Sequence, residues 1–519
     1  MKNSTVKTVG IMMAITLIGK IMGLGREILF GFHYGTETVE AAAFIVANQI
    51  PKNFLDAMFA SVVSASFIPV FNDYFENKGR DEAYKLSCNF ISIMIIATTL
   101  LTVLGIIFAY PIVNWYASGY TEEALQLAYR LLIILFPLLI ISAVAFSITG
   151  ILQSMGEFNI PSAMSVLSNS VIIFYYFFLI DRFGIYELAV AFIVGWLFQI
   201  IIQIPFLIKN QFRFRFFISF KDPGIKHIML LMLPVMVSTW IQPINMMINT
   251  RFASRLFEGS GAAVSALNYA STLYTVITGV FILSVANFVF PKLSKLNTTN
   301  DAEGFSETLR TTLHSMFFFL IPMTFGIAIL SEPLVRLIFQ IEGGEFTEFS
   351  TYITSRALLF YSFGAIGLGI QTILLRGFYA LKDGVTPLIT GLSAILVNFA
   401  ITASLIDVMG VGGPALASSV SLITASIIMM IVMNRKKNIL NKHLVKDIAK
   451  MLVASLAMSV AVVIARDYIL SGADTILNRI FVLVVPAFIG IAIYFAVTCI
   501  ANVSEAVAVK SIIVKKIKS

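Results

Sequence analysis

The chain has 519 residues, of which 58% are hydrophobic and only 12% are charged, and its formal net charge is +8. Soluble globular domains have about 25% charged residues, and the mean hydropathy of this chain is +0.90, so composition excludes a soluble globular protein and indicates one that spans a membrane. The only two cysteines, Cys88 and Cys499, exclude a disulfide framework and a Cys-rich metal site.

Fourteen apolar stretches are long enough to cross a bilayer as helices, which takes about 20 residues each. They are 9–33, 41–71, 88–110, 125–152, 161–180, 187–208, 228–250, 263–290, 313–330, 352–375, 385–406, 412–433, 451–470 and 480–501. No small-residue cleavage site follows the first, so we interpret it as a retained span and not as a signal peptide. The fold class predicted is an all-α polytopic membrane protein with about 14 transmembrane helices.

The first stretch contains three charged residues, Lys20, Arg26 and Glu27. A charge near the centre of a bilayer costs about 2.5–3.5 kcal/mol, so it usually faces a partner or a polar cavity. Adjacent residues on a helix point about 100° apart, so we expect that these charges do not neutralise one another and that they line a polar cavity. The alternative is that they form ion pairs with neighbouring helices and only hold the bundle together.

Two further stretches contain polar residues close to a proline. In the second, Lys52 and Asp56 are four residues apart on one helix face, which permits either an internal ion pair or a cationic lining from Lys52. In the seventh, amides on one face near Pro243 are typical of contacts between helices as well as of ligand contacts. The candidate lining residues of the seventh stretch are Gln242, Asn245, Asn249 and Arg251.

Basic residues are distributed unevenly between alternate loops. With the N-terminus inside, 24 Lys or Arg residues fall in the two tails and the even-numbered loops, and five fall in the odd-numbered loops. Because positive loops stay in the cytoplasm, this asymmetry predicts that both termini are cytoplasmic. It also explains the basic net charge without a nucleic-acid partner.

Two pairs of short segments indicate an internal repeat. FIPVFNDYF (67–75) and FVFPKLSKL (288–296) have prolines 222 residues apart, and GILQSMGEFNIP (150–161) and GFYALKDGVTP (377–387) have prolines 226 residues apart. The nearly equal offsets predict two pseudo-symmetric six-helix lobes, 1–220 and 221–440, followed by two C-terminal helices and a basic tail, 441–519. In transporters of this plan the substrate binds at the interface between the halves.

Catalytic and metal-binding motifs are missing from the sequence. The longest loops are about 20 residues, too short for a separate catalytic domain. Four histidines are present, at positions 33, 227, 314 and 443, and they form no HExxH motif and no sequence cluster of metal ligands. We therefore predict a transporter and not an enzyme, without a cofactor or a metal site and with an unspecified coupling ion. A cavity lined by Lys and Arg suits an anionic substrate that carries phosphate or carboxylate.

Several segments have a recognisable combined pattern. They include GKIMGLGREILFGFHYG (19–35), GEFNIPSAMSVLSN (156–169), LPVMVSTWIQPINMMINTRFAS (233–254) and, most specifically, LLRGFYALKDGVTP (374–387). Together they resemble the MurJ (MviN) family of bacterial lipid II flippases, within the multidrug/oligosaccharidyl-lipid/polysaccharide exporter superfamily.

The resemblance implies a flippase in the bacterial cytoplasmic membrane that carries lipid II, an undecaprenyl-diphosphate-linked peptidoglycan precursor, to the outer leaflet by alternating access. Separately, we expect the protein to be a monomer. The resemblance also implies that Lys20, Arg26 and Lys52 bind the diphosphate while Glu27 orients Arg26. Arg26 and Glu27 match the family's Arg-Asp pair, whereas Lys20 stands where the family commonly has arginine.

Other departures from the family pattern leave alternatives open. The eighth stretch reads YAST at 269–272 where many members read YADR, and the second reads NFLDAMF at 53–59 where an arginine is usual. The rival functions are a flippase for another lipid-linked oligosaccharide, such as a capsule or exopolysaccharide unit, and an ion-coupled drug or metabolite exporter.

Overall fold

α-Helices form the regular secondary structure of the chain. The computed structural model describes residues 2–55, 63–470 and 475–518. Contacts between Cα atoms group the chain into two units, Met1–Ser265 and Ala266–Ser519. The predicted lobe boundaries at residues 220 and 440 stay a prediction.

The helices of the first unit include both long apolar segments and short connecting ones. They are α1 Lys2–Tyr34, α2 Val39–Leu55, α3 Ile68–Asn77, α4 Arg80–Ile107, α5 Ala109–Tyr116, α6 Glu122–Leu135, α7 Leu138–Ser154, α8 Asn159–Phe178, α9 Ile185–Ile201, α10 Ile204–Lys209, α11 Pro223–Thr239 and α12 Ile241–Ala253. A π-helical turn, Val63–Phe67, precedes α3.

The helices of the second unit surround one apolar core. They are α13 Ala262–Thr298, α14 Ala302–Ile329, α15 Ser331–Phe339, α16 Glu348–Ser362, α17 Gly364–Ala380, α18 Val385–Met409, α19 Gly412–Lys437, α20 Lys442–Leu470, α21 Ile476–Ile500 and α22 Ser504–Lys518. Fully buried side chains from α14, α17 and α19 form its centre, including Leu309, Met316, Phe378 and Met429.

The prediction of an all-α membrane protein is confirmed. Within the described ranges, ten helices are long and apolar enough to cross a membrane, and an eleventh span results if α16 and α17, which meet at a 44° bend, are counted as one. Three of the fourteen predicted stretches are not among these: 9–33, 41–71 and 228–250. The count of fourteen therefore stays a prediction for these three.

The three remaining stretches contain all the predicted site residues except Arg251, which directly follows the third of them. α1 is continuous over 9–33, and α2, which contains Pro51, is described as far as Leu55. The seventh stretch divides into α11 and α12, because Pro243 has no N–H to donate to the carbonyl of Thr239, the last residue of α11.

A close approach between α8 and α9 depends on Gly195. A Cβ atom at this position would lie 2.9 Å from the backbone oxygen of Ser168, which cannot rotate away. We expect Gly195→Ala to destabilise the protein by about 1–3 kcal/mol through overpacking, measured as a lower unfolding temperature in detergent. Gly25→Ala is the matched control, since a Cβ at Gly25 meets nothing within 4 Å; an equal loss in both variants would contradict the role of this contact.

Asp383, in the family-specific segment, caps the start of α18. Its Oδ1 accepts hydrogen bonds from the backbone N–H groups of Val385 (3.1 Å) and Thr386 (3.0 Å), and Lys436 Nζ lies 2.5 Å from Oδ2. Partial burial alone would raise the pKa of Asp383, but the hydrogen bonds from Lys436 and Thr386 outweigh burial and lower the pKa to about 2. The charged form is therefore favoured in the folded protein.

A carboxylate whose pKa is lowered by folding stabilises the protein above its unfolded pKa, about 3.9 for Asp, and loses this effect as the pH falls through the folded value. Asp383→Asn should cost less than about 1 kcal/mol at pH 6, because Lys436 is well exposed. The difference in unfolding temperature between Asp383→Asn and the wild type should become smaller as the pH falls from 4 to 2. Asp407→Asn, at an exposed position of α18, should unfold at the same temperature as the wild type. A difference between Asp383→Asn and the wild type that does not change with pH would contradict the expectation.

Candidate anion-binding site

Arg26 and Glu27 on α1 form a direct ion pair. Arg26 Nη2 lies 2.6 Å from Glu27 Oε1, and the two side chains are 20% and 14% exposed. The expectation that the charges of α1 do not neutralise one another is wrong for this pair, because the long arginine side chain bends back to its sequence neighbour. Glu27 thus offsets one of the two cations of α1.

Two neighbouring helices hold the guanidinium group of Arg26. Its Nη1 donates a 3.2 Å hydrogen bond to Oδ1 of Asn169 on α8, and Asn169 Nδ2 donates to the carbonyl of Gly19 (3.3 Å). The guanidinium carbon lies 5.1 Å from the ring centroid of Phe192 on α9, within the range of a cation–π interaction. Arg26 is therefore fixed in position by three helices.

The guanidinium group retains donors for a further acceptor. Arginine has five N–H donors, and the acceptors described above are Glu27 Oε1 and Asn169 Oδ1. Nε of Arg26 is buried and has no hydrogen-bond partner in the part of the chain that the structure describes. An oriented arginine with remaining donors is suited to bind a phosphate oxygen.

Lys20 is the second cation of α1. It is partly buried, lies about 9 Å before Arg26 along the helix axis and shares a helix face with Glu27, seven residues on. No carboxylate forms a salt bridge with Lys20 among the described residues. Two cations and one carboxylate leave a net charge of +1 on this part of α1.

The structure describes Lys52 but not Asp56, the two candidate site residues of the second predicted stretch. Lys52 is exposed near the end of α2, whereas Asp56 lies outside the described residues, so the predicted Lys52–Asp56 pair stays a prediction. Asn53, next to Lys52, is buried and donates a 3.0 Å hydrogen bond to the hydroxyl of Tyr116 on α5. This contact ties α2 to α5, while the side chain of Lys52 is accessible.

The predicted residues of α12 differ in their surroundings. Gln242 is exposed, Asn245 is partly buried and Asn249 is buried. Arg251 donates a hydrogen bond to the carbonyl of Trp115 on α5, and its guanidinium carbon lies 5.1 Å from the indole centroid. Arg251 therefore links α12 to α5, and its predicted part in a cavity lining stays a prediction.

Sequence reasoning did not identify Asn169 and Phe192 as site residues. Asn169 is the last residue of GEFNIPSAMSVLSN, one of the family-like segments, so the motif contained a signal for it. Phe192 lies in the uniformly apolar helix α9, where no sequence feature separates it from neighbouring residues. Among the predicted site residues, Arg26 and Glu27 are a pair that a described contact brings together.

Comparisons with known proteins give one consistent result. A family profile described as "Lipid II flippase MurJ" matches residues 34–496. A probable lipid II flippase MurJ of Vibrio cholerae is 31% identical over 425 residues, 79% of each chain. The lipid II flippase MurJ of Burkholderia cenocepacia is 27% identical over 434 residues, 81% of this chain and 82% of the relative.

Solved structures agree with the sequence comparisons. A lipid II flippase MurJ in an inward closed conformation has a TM-score of 0.79 with 26% identity, covering 94% of this chain and 98% of its own. An inward-facing multidrug resistance transporter of the MATE family, in the MOP superfamily, has a TM-score of 0.68 with 15% identity, covering 82% of this chain and 98% of its own. The second likeness concerns the fold alone.

Proposed function

This chain belongs to the lipid II flippase MurJ family, a family of membrane transporters and not enzymes, and from that premise we propose that it moves lipid II from the inner to the outer leaflet of a bacterial cytoplasmic membrane by alternating access. The match covers 79% of both this chain and its Vibrio cholerae relative. The product of this step would supply peptidoglycan synthesis outside the membrane.

We propose that Arg26 and Lys20 bind the diphosphate of the lipid, and that exposed Lys52 adds a third cation. The observation that carries this proposal is the ion pair of Arg26 and Glu27, held by Asn169, beside a lysine with no described salt bridge. A diphosphate is an acceptor for which arginine and lysine are suited. Glu27 would keep Arg26 in place when no diphosphate is bound and compete for it when the lipid leaves.

We further propose that both termini lie in the cytoplasm and that the protein acts as a monomer. The orientation rests on the 24 basic residues of the tails and even-numbered loops against five in the odd-numbered loops. Fusing a cytoplasmic reporter to either end should give a signal, and a periplasmic reporter should not.

Growth complementation tests the substrate. Cells depleted of their native lipid II flippase should survive when they express this chain, and should die when they express Arg26→Gln/Glu27→Gln at the same membrane level. Death of cells that express the wild-type chain, despite its correct insertion, would contradict the assignment to lipid II. It would favour another lipid-linked oligosaccharide as substrate, since a diphosphate-binding site does not by itself distinguish between the attached sugars.

A further inference from the structure

Two histidines and an aspartate meet in the second unit, where α14 and α20 pack together. His314 Nε2 on α14 lies 3.0 Å from Asp447 Oδ2, and His443 Nδ1 lies 3.2 Å from the same oxygen. The three ligand atoms all lie within 4.8 Å of one another. The expectation that the histidines do not cluster is wrong here, because His314 and His443 are distant in sequence and only the packing of α14 against α20 joins them.

A second layer of charged groups surrounds these three side chains. His314 Nδ1 contacts Oε2 of Glu505 on α22. Lys450 Nζ lies 2.9 Å from the other oxygen of Asp447, Oδ1, and the side chain of Asp447 is 1% exposed. Metal-binding histidines commonly donate their second ring N–H to a carboxylate, and metal-binding carboxylates are commonly hydrogen-bonded in turn.

The spacing of the ligand atoms suits a tetrahedral ion. Zn²⁺ at about 2.0–2.2 Å from nitrogen and oxygen ligands places neighbouring ligands about 3.3–3.6 Å apart, so the 3.0 Å and 3.2 Å separations need to widen by only a few tenths of an ångström. The third separation, between the two histidines, can close because the His443 side chain is 68% exposed. Imidazole ligands favour zinc and other transition ions over Mg²⁺ and Ca²⁺.

We propose that His314, His443 and Asp447 form a binding site for one Zn²⁺-class transition ion, with Glu505 and Lys450 orienting the ligands. The fourth position would face a cavity of about 460 Å³ whose lining includes Arg310, Ser315 and Ser504, and water would occupy it. The ion would tie the start of α20 to α14 and, through Glu505, to α22. This site is separate from the lipid site proposed in the first unit and does not depend on it.

A different explanation is an ion-pair cluster in which a protonated His314 lies between Asp447 and Glu505. That explanation accounts for the buried contacts and gives exposed His443 no essential role. The two explanations therefore differ in what replacement of His443 does to metal binding.

Metal titration of the untagged full chain in detergent distinguishes them. After removal of metal with a chelator, the wild type should bind one Zn²⁺ per chain, and Co²⁺ should give the intense visible bands of a tetrahedral site. His443→Ala should weaken Zn²⁺ binding at least tenfold; because this side chain is exposed, the variant should still elute as a single folded species. His227→Ala, which replaces an exposed histidine of the first unit, should bind as the wild type does.

Glu505→Gln provides a second, independent readout. Loss of the carboxylate that orients His314 should weaken Zn²⁺ binding by about 10- to 100-fold while the site persists. Absence of stoichiometric Zn²⁺ binding by the wild type, or equal binding by the wild type and His443→Ala, would overturn the proposal and leave the ion-pair cluster.

Discussion

Arg26→Gln is expected to lower the affinity for the diphosphate of lipid II by about 10- to 100-fold and to abolish growth complementation. Hydrogen bonds to charged groups contribute about 1.5–3 kcal/mol, and each 1.4 kcal/mol is a tenfold change in affinity. The guanidinium group is already oriented by Asn169 and Phe192, so its loss removes a preorganised donor. Binding of lipid II to the purified chain measures the effect.

The single variant also removes the ion pair that Arg26 forms with Glu27, whose side chain is only 14% exposed, and loss of one member of a buried ion pair destabilises the fold by itself. The double variant Arg26→Gln/Glu27→Gln removes both charges and so separates the two effects. It should unfold at a temperature closer to that of the wild type and should still fail to bind lipid II. Recovery of binding in the double variant would mean that the ion pair serves only to hold the helices together.

Lys20→Gln is expected to weaken lipid II binding about tenfold with little effect on stability. Lys20 has no salt bridge within the described residues, so its removal leaves no carboxylate uncompensated there. A charged donor lost to an anionic ligand corresponds to at least about 1.5 kcal/mol. Lys20→Arg should bind at least as tightly as the wild type, because a guanidinium group can contact a phosphate through two parallel hydrogen bonds.

Lys85→Gln is the matched control for charge removal. Lys85 is 58% exposed on α4 and forms a 3.6 Å surface pair with Glu82, so its replacement should change neither binding nor stability measurably. If Lys20→Gln behaved as Lys85→Gln does, Lys20 would have no part in substrate binding.

The positions of most helices could be predicted from apolar stretches alone, since a bilayer requires about 20 such residues for each span. The points at which an apolar stretch divides into two helices could not be predicted with the same accuracy. The stretch at 228–250 reads as one span, yet it divides next to Trp240 because of Pro243. Proline marks a break in the hydrogen-bond ladder, but hydropathy does not register it.

The candidate site could be proposed in part from the sequence, because charged residues are costly in an apolar transmembrane helix and so indicate a partner or a polar cavity. Lys20, Arg26 and Glu27 could be named in this way. Their partners could not, because Asn169 reaches Arg26 only through the packing of α8 against α1. The same holds for Arg251, whose contact with Trp115 on α5 could not be foreseen from the sequence.

Translocation of lipid II by the purified full chain in lipid vesicles is the decisive measurement of flippase activity. Fluorescently labelled lipid II is placed in both leaflets, and a membrane-impermeant quencher follows its movement. Vesicles with the wild-type chain should equilibrate the label between the leaflets, and vesicles with folded Arg26→Gln/Glu27→Gln should do so no faster than protein-free vesicles. Equal movement with the wild type and the double variant, or no movement with a folded wild type, would rule out the proposed flippase mechanism.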